Sequence, residues 1–130
     1  MSVPTTATYD VGAKIAAHTA FRDLIDTGSG AGSVVIRDAS DVLLAEIALT
    51  DPCGTVNGTT GQLTLTPDGR EESAPAGGVA AYAEIRSVDD TPRLSLPCQA
   101  GTSAVSGKCV MSTLTVTLGE PVEIVSIVIG

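Results

Sequence analysis

The sequence predicts a mainly β fold, a single-domain antiparallel β-sandwich or jelly roll with one N-terminal helix. Apolar residues recur at every second position in most of the chain, which is the period of a half-buried strand. Clusters of Gly, Pro, Asn and Asp separate these short runs, as is typical of all-β domains. Only one segment has the period of a helix, so a parallel α/β sheet with recurring helices is not expected.

The chain begins with a segment that differs from the rest. Residues 1–9 are rich in Thr and contain Pro4, so we expect an extended N-terminal arm there. Residues 10–130 are expected to form the helix and the β-sandwich. The opening letters have neither a basic region nor an apolar run, so no secretory signal is expected.

One helix is predicted directly after the arm. Asp10 can cap a helix over Val11–Ile25, in which Phe21 contributes to a partial apolar stripe. His18 also lies on this helix. Because no cluster of partner residues accompanies it, we interpret His18 as a solvated or rim histidine.

The strands are expected after Gly32, where the period changes from helical to two. Alternation predicts that Leu114, Val116 and Leu118 face the core, and that Val79 shares an inner face with Ile85. The predicted runs are Ser33–Arg37, Val42–Leu49, Gln62–Thr66, Val79–Val88, a short run at Leu94 and Leu96, Val110–Leu118 and Val122–Ile129.

The last predicted strand is apolar on both faces, with Val125, Ile127 and Ile129 on one of them. Two interpretations are open. The strand can be a central one that the protein covers on both sides, or it can pair with or pack on a neighbouring subunit.

The composition limits the classes of partner. The chain is 43% hydrophobic but has no Trp, one Phe and two Tyr, so it buries little area per residue. Burial against copies of itself or against a larger partner would add to a thin margin of stability. A net charge of −8 repels phosphate, so neither nucleic acid nor an anionic membrane surface is expected as a partner. No run approaches the roughly 20 apolar residues that cross a bilayer.

The three cysteines, Cys53, Cys98 and Cys109, include no C-x-x-C pair. In a reducing cytoplasm we expect free thiols, and pairing of Cys98 with Cys109 is left open. Because His18 is the only histidine, no metal site and no cofactor are expected.

One motif suggests an enzyme. The letters Asp26-Thr27-Gly28-Ser29 match the active-site loop of aspartic proteases, which need two carboxylates that share a proton, and a homodimer could supply both. In that family the loop follows a buried strand, whereas here a helical segment precedes it. The sequence therefore favours a helix-to-strand connection, and a dimeric aspartic protease is the weaker alternative.

Two glycine-containing stretches resemble phosphate-binding loops. In Gly28-x-Gly30-x-Gly32 the order of helix and strand is the reverse of a dinucleotide site, and Gly101–Cys109 has five residues between its glycines where a P-loop has four. Neither stretch has the order of elements or the glycine spacing that a phosphate-binding loop requires. The sequence therefore predicts a protein that is not an enzyme.

The order of these segments resembles small virion proteins of tailed phages. In Leu24–Cys53 the shared pattern is a helix, a Gly-Ser turn, a strand ending in an Asp turn, and an aliphatic strand closing on Asp-Pro. Gly61–Thr66, Ala80–Asp90 and Ser112–Ile129 continue it, so the resemblance covers about residues 15–129. Within this group, the chain is similar to the capsid cement or decoration proteins of short-tailed phages, which have jelly-roll folds.

The resemblance implies a structural role in the virion. Such a protein binds the outer surface of the capsid and clamps adjacent capsomers of the major capsid protein, and a symmetric dimer or trimer would repeat its contacts. A neck, tail or fibre component is the alternative. From the arm and the last strand, the residues expected to contact the capsid or another subunit are Val3, Pro4, Tyr9, Val125, Ile127 and Ile129.

Overall fold

The structure, a computed structural model, describes residues 10–130, and the predicted arm at residues 1–9 lies outside them. The described part contains one helix and nine strands. These are α1 (Val11–Ile25), β1 (Ser33–Arg37), β2 (Leu43–Val56), β3 (Leu63–Pro67), β4 (Gly78–Val79), β5 (Tyr82–Arg86), β6 (Pro92–Ala100), β7 (Lys108–Met111), β8 (Thr115–Val116) and β9 (Ser126–Ile129).

Seven of the strands form a closed barrel in the order β1-β2-β3-β9-β7-β6-β5, and β5 pairs back onto β1. Six of the seven pairings are antiparallel, and β6 pairs with β7 in parallel. The predicted mainly β class with one helix is therefore confirmed. The seven strands form one closed sheet because β2 pairs with both β1 and β3 and β6 pairs with both β5 and β7, and this barrel does not by itself establish the finer arrangement of a sandwich or jelly roll.

Helix α1 has the predicted bounds. The Asp10 carboxylate accepts a hydrogen bond from the Ala13 backbone N–H at 2.7 Å, which caps the first turn. The helix packs on β2 and β3, and Ile25 at its end is buried in the core. His18 is half-buried, with Nδ1 donating to the Gly61 carbonyl oxygen, as expected of a rim histidine.

Strand β2 is longer than predicted, because it continues through Asp51-Pro52, where the sequence suggested a turn. The strand pairs with β1 as far as Ala48 and then with β3, and the register with β3 shifts between Leu49 and Gly54. Pro52 lies inside that shift, so its missing N–H interrupts no regular ladder. The Asp51–Pro52 peptide bond is cis.

Two predicted long strands are each divided in the structure. The run from Val79 gives β4 and β5, and the run up to Leu118 gives β7 and β8. The expected inward orientation of Val79 and Leu118 is wrong, since their side chains are 60% and 66% exposed. In each case one of the two short strands belongs to the barrel and the other to the separate β4–β8 pair, so the alternation does not carry over from one to the other.

The barrel interior is filled by aliphatic side chains and two of the cysteines, and it forms one continuous core with the inner side of α1 and with the β4–β8 pair. Its fully buried members include Ile25, Val34, Ile36, Leu44, Cys53, Leu63, Ala83, Ile85, Cys109 and Ile127.

Candidate functional site

The structure does not bring the predicted contact residues together on one surface. Val3, Pro4 and Tyr9 lie outside the described residues. Val125 precedes β9 and is 43% exposed, Ile127 is fully buried in the core, and Ile129 is half-buried against it.

Strand β9 is a central strand of the barrel. It pairs with β3 on one side and with β7 on the other. Both of its hydrogen-bonding edges are therefore occupied, which corresponds to the first of the two interpretations left open by the sequence. A neighbouring chain could not add a strand to β9 without opening the barrel.

The carboxylate of Asp26 lies at the end of α1, against the middle of β2. Its two oxygens accept hydrogen bonds from the backbone N–H of Cys53 at 3.0 and 3.1 Å. Burial, together with the nearby Asp26 carboxylate, raises the pKa of the Cys53 thiol to about 12. The hydrogen-bond partner of Asp26 within the chain is thus a backbone amide of β2.

The connection between α1 and β1 has the predicted form. The helix ends at Ile25 and β1 begins at Ser33, so the protease-like letters lie in a helix-to-strand loop. Gly28 and Gly30 have φ angles of 120° and 113°, which residues with a side chain rarely adopt.

Outside the barrel, two segments run antiparallel to each other and form a structure that we call the ribbon, residues 71–80 and 114–122. Strands β4 and β8 are its regular part. The two segments are joined by backbone hydrogen bonds between Glu71 and Val122 at 2.8 and 3.0 Å, between Ala74 and both Gly119 and Glu120 at 2.9 Å, and from Ala80 to Leu114 at 2.7 Å.

The inner side of the ribbon belongs to the core. Ala74, Ala80, Val116 and Val122 are buried there. The start of the ribbon also covers β2, because a carboxylate oxygen of Glu71 accepts a hydrogen bond from the backbone N–H of Glu46 at 3.1 Å. The ribbon is therefore attached to the barrel both by packing and by a hydrogen bond to the edge of β2.

The outer side of the ribbon carries the two most exposed large aliphatic residues among those described, Val79 and Leu118. Thr115, the partner of Val79 in the β4–β8 pair, is exposed beside it. Sequence reasoning missed this surface because it placed both aliphatic side chains inward. No Gly or Pro marks the two breaks, at residues 80–81 and 112–114, so the sequence carried no turn signal for them.

A cleft of about 200 Å³ borders the ribbon. Arg70, which lines it, forms ion pairs with Glu72 and Glu123, both at 3.4 Å, so its charge is locally neutralised. The lining also includes four hydroxyl groups, of Ser112, Thr113, Thr115 and Thr117, which can donate and accept hydrogen bonds with a protein surface. The residues that line the cleft are Arg70, Met111, Ser112, Thr113, Thr115, Val116, Thr117, Glu120, Pro121, Val122 and Glu123.

The charged side chains leave a negative surplus on the surface. Four of the seven basic residues, Arg22, Arg37, Arg70 and Arg86, form ion pairs with carboxylates of the same chain. Since the chain has 15 acidic residues and a net charge of −8, the uncompensated charge is mostly acidic. A partner surface that carries basic residues would complement it.

Within residues 10–130, no group of three or more His, Cys, Asp or Glu side chains is placed to hold a metal ion. The same residues include no helix long and apolar enough to cross a membrane. The chain matches no family model, no curated protein and no solved structure.

Proposed function

We propose that this protein is a structural component of a tailed-phage virion, a cement protein that binds the outer surface of the head and clamps adjacent capsomers of the major capsid protein. The sequence resemblance described above motivates the proposal. The observation in the structure that supports it best is the outer face of the ribbon, where Val79 and Leu118 are exposed on a barrel whose strands are all paired.

The ribbon has the properties of a binding surface. Val79 and Leu118 are aliphatic residues whose burial against a partner would each stabilise a complex by about 1.5–3 kcal/mol. Arg70, Glu120 and Glu123 supply charged groups to the lining of the adjoining cleft, as at the rim of a protein interface.

Because a capsid repeats each binding site many times, a small contact surface is sufficient for attachment. A capsid presents the same site many times, and a dimer or trimer of this chain would engage several copies at once, so weak single contacts sum to strong attachment. The acidic surface favours a basic shell surface over the packaged nucleic acid. Chemistry at an active site plays no part in this function.

The test is binding to purified expanded shells that lack the protein. We expect the wild-type chain to co-sediment with these shells and to raise the temperature at which they break. The Val79→Asp/Leu118→Asp double variant should bind at least about tenfold more weakly, because it puts two charges into an apolar contact.

The matched control is Val11→Asp/Leu24→Asp, which introduces the same two charges at aliphatic positions of α1 that are 41% and 40% exposed and lie away from the ribbon. This variant should bind like the wild type. Failure of the wild type to bind, with no change in shell stability, would refute the proposal. Labelled protein found at a single vertex, and not over the whole head, would favour the neck, tail or fibre alternative.

A further inference from the structure

Two of the three cysteines lie opposite each other at the one parallel junction of the barrel. Cys98 of β6 and Cys109 of β7 are register partners, and only two more residue pairs, Gln99–Val110 and Ala100–Met111, complete this junction. Neighbouring strands lie about 4.8 Å apart, and opposite side chains in a parallel pair point to the same side. This spacing is within the roughly 4.4–6.8 Å that separates the Cα atoms of a disulfide.

Both thiols are free in this structure. We propose that Cys98 and Cys109 are a reversible dithiol–disulfide pair that links β6 to β7 when the protein meets an oxidising, disulfide-containing environment. This inference does not depend on the proposed capsid function, because it rests on the register of the barrel alone.

The two residues differ in the way that an attacking thiol and a resolving thiol differ. Cys98 is half-buried, and its interaction with the Cys109 thiol lowers the pKa of its own thiol. Cys109 is fully buried, and its interaction with Cys98, together with burial, raises the pKa of its thiol. Cys98 therefore becomes the thiolate more readily and is also the one that a reagent can reach.

The oxidant is a small-molecule disulfide such as glutathione disulfide. The Cys98 thiolate attacks one of its sulfur atoms, which forms a mixed disulfide and releases one glutathione thiolate. The Cys109 sulfur, after losing its proton, attacks the Cys98 sulfur and displaces the second glutathione thiolate. In total the two protein thiols lose two electrons and two protons, and glutathione disulfide is reduced to two thiols.

Cys53 serves as an internal control. It is buried in the core beside Asp26, on β2, and its thiol has a raised pKa of about 12. The proposal therefore predicts that one thiol per chain stays free after oxidation, and that this thiol belongs to Cys53.

The experiment incubates the reduced full-length chain with glutathione disulfide, unfolds and alkylates it, and maps the tryptic peptides by mass. Trypsin cuts after Arg93 and Lys108, so Cys98 and Cys109 fall on separate peptides, and the peptide with Cys53 is a third. We expect one new species, the disulfide-linked pair of peptides 94–108 and 109–130, which disappears on reduction. Three alkylated cysteines after oxidation, or a link to Cys53, would overturn the proposal.

Two variants test the order of the steps. Cys109→Ser lacks the resolving thiol, so it should accumulate the mixed disulfide of Cys98 with glutathione, whereas Cys98→Ser should remain largely unmodified. The reverse pattern would refute the assigned roles. In the wild type, oxidation should raise the Tm by about 5–10 °C, because the link restricts the unfolded chain. Cys53→Ser should retain this rise if the link joins Cys98 to Cys109.

Discussion

The contacts of Asp26 in the folded chain differ from those that its four-residue motif suggests. In the sequence the motif matches a catalytic loop, but in the folded chain the carboxylate caps the backbone of β2 at Cys53. An ionised carboxylate that accepts a backbone hydrogen bond in a partly buried position stabilises the fold more than a neutral acceptor would. We infer that the role of Asp26 is to hold α1 against β2.

Replacement of Asp26 should therefore lower stability. Asp26→Ala leaves the Cys53 amide without its partner, and we expect it to reduce the free energy of unfolding by about 1–3 kcal/mol, measured by urea denaturation. Asp23→Ala is the control, since its exposed ion pair with Arg22 should contribute less than about 1 kcal/mol.

The same position also tests the enzyme alternative. The wild type should show no peptidase activity at acid pH, and an activity that Asp26→Asn removed would contradict the proposed function. Asp26→Asn keeps one acceptor oxygen, so its loss of stability should be smaller than that of Asp26→Ala.

At the scale of the element, β2 pairs with a different strand along each half of its length. Its first half pairs with β1 and its second half with β3, and the irregular stretch between the two halves contains Pro52. Beyond that stretch Gly54 lies so close to β3 that a Cβ atom there would be 2.3 Å from the Thr64 carbonyl oxygen. The approach of these two strands requires a residue without a side chain.

Gly54→Ala should consequently distort the barrel. We expect it to cost about 1–3 kcal/mol or more in the free energy of unfolding, because the clash is with backbone atoms that cannot rotate away. Gly58→Ala, in the turn after β2, is the matched control: a Cβ there meets no atom within 4 Å, so the change should stay within about 0.5 kcal/mol. Equal denaturation midpoints for the two variants would contradict the close packing of β2 on β3.

At the scale of the whole molecule, closure of the barrel determines which surfaces are open to partners. Because β1 to β3, β5 to β7 and β9 are each paired on two sides, they offer no complete free edge for strand addition. The available surfaces are the outer faces, of which the ribbon carries the most exposed aliphatic residues. The closed sheet thus moves the candidate contact from the last strand to Val79 and Leu118.

The charge of the molecule predicts its behaviour toward nucleic acid. With a net charge of −8 and four of its basic residues in ion pairs, the chain should not retard double-stranded DNA in a gel at low salt. Binding to expanded shells should weaken as salt is added if basic residues of the capsid take part. A retarded DNA band that disappears with added salt would show a basic surface that this fold does not provide.

The sequence by itself determined the local features of this protein. The period of the apolar residues and the Asp10 cap placed α1 and β1 at their observed bounds, and the alternation placed most of the remaining strands, because these signals come from residues close together in the chain. Composition alone indicated the acidic surface. The same reasoning continued β4 into β5 and β7 into β8, since the breaks between these strands, at residues 80–81 and 112–114, contain no Gly or Pro.

Only the tertiary structure decided that the sheet closes and that β9 pairs with β3 and β7. It also decided that Asp26 contacts Cys53 and that Cys98 lies opposite Cys109. These contacts join residues that lie between 11 and 66 positions apart in the chain, as the Cys98–Cys109 and Leu63–Ile129 pairs illustrate. The pairing partner of a strand is set by how all the apolar faces can be buried at once, and no local pattern carries that information.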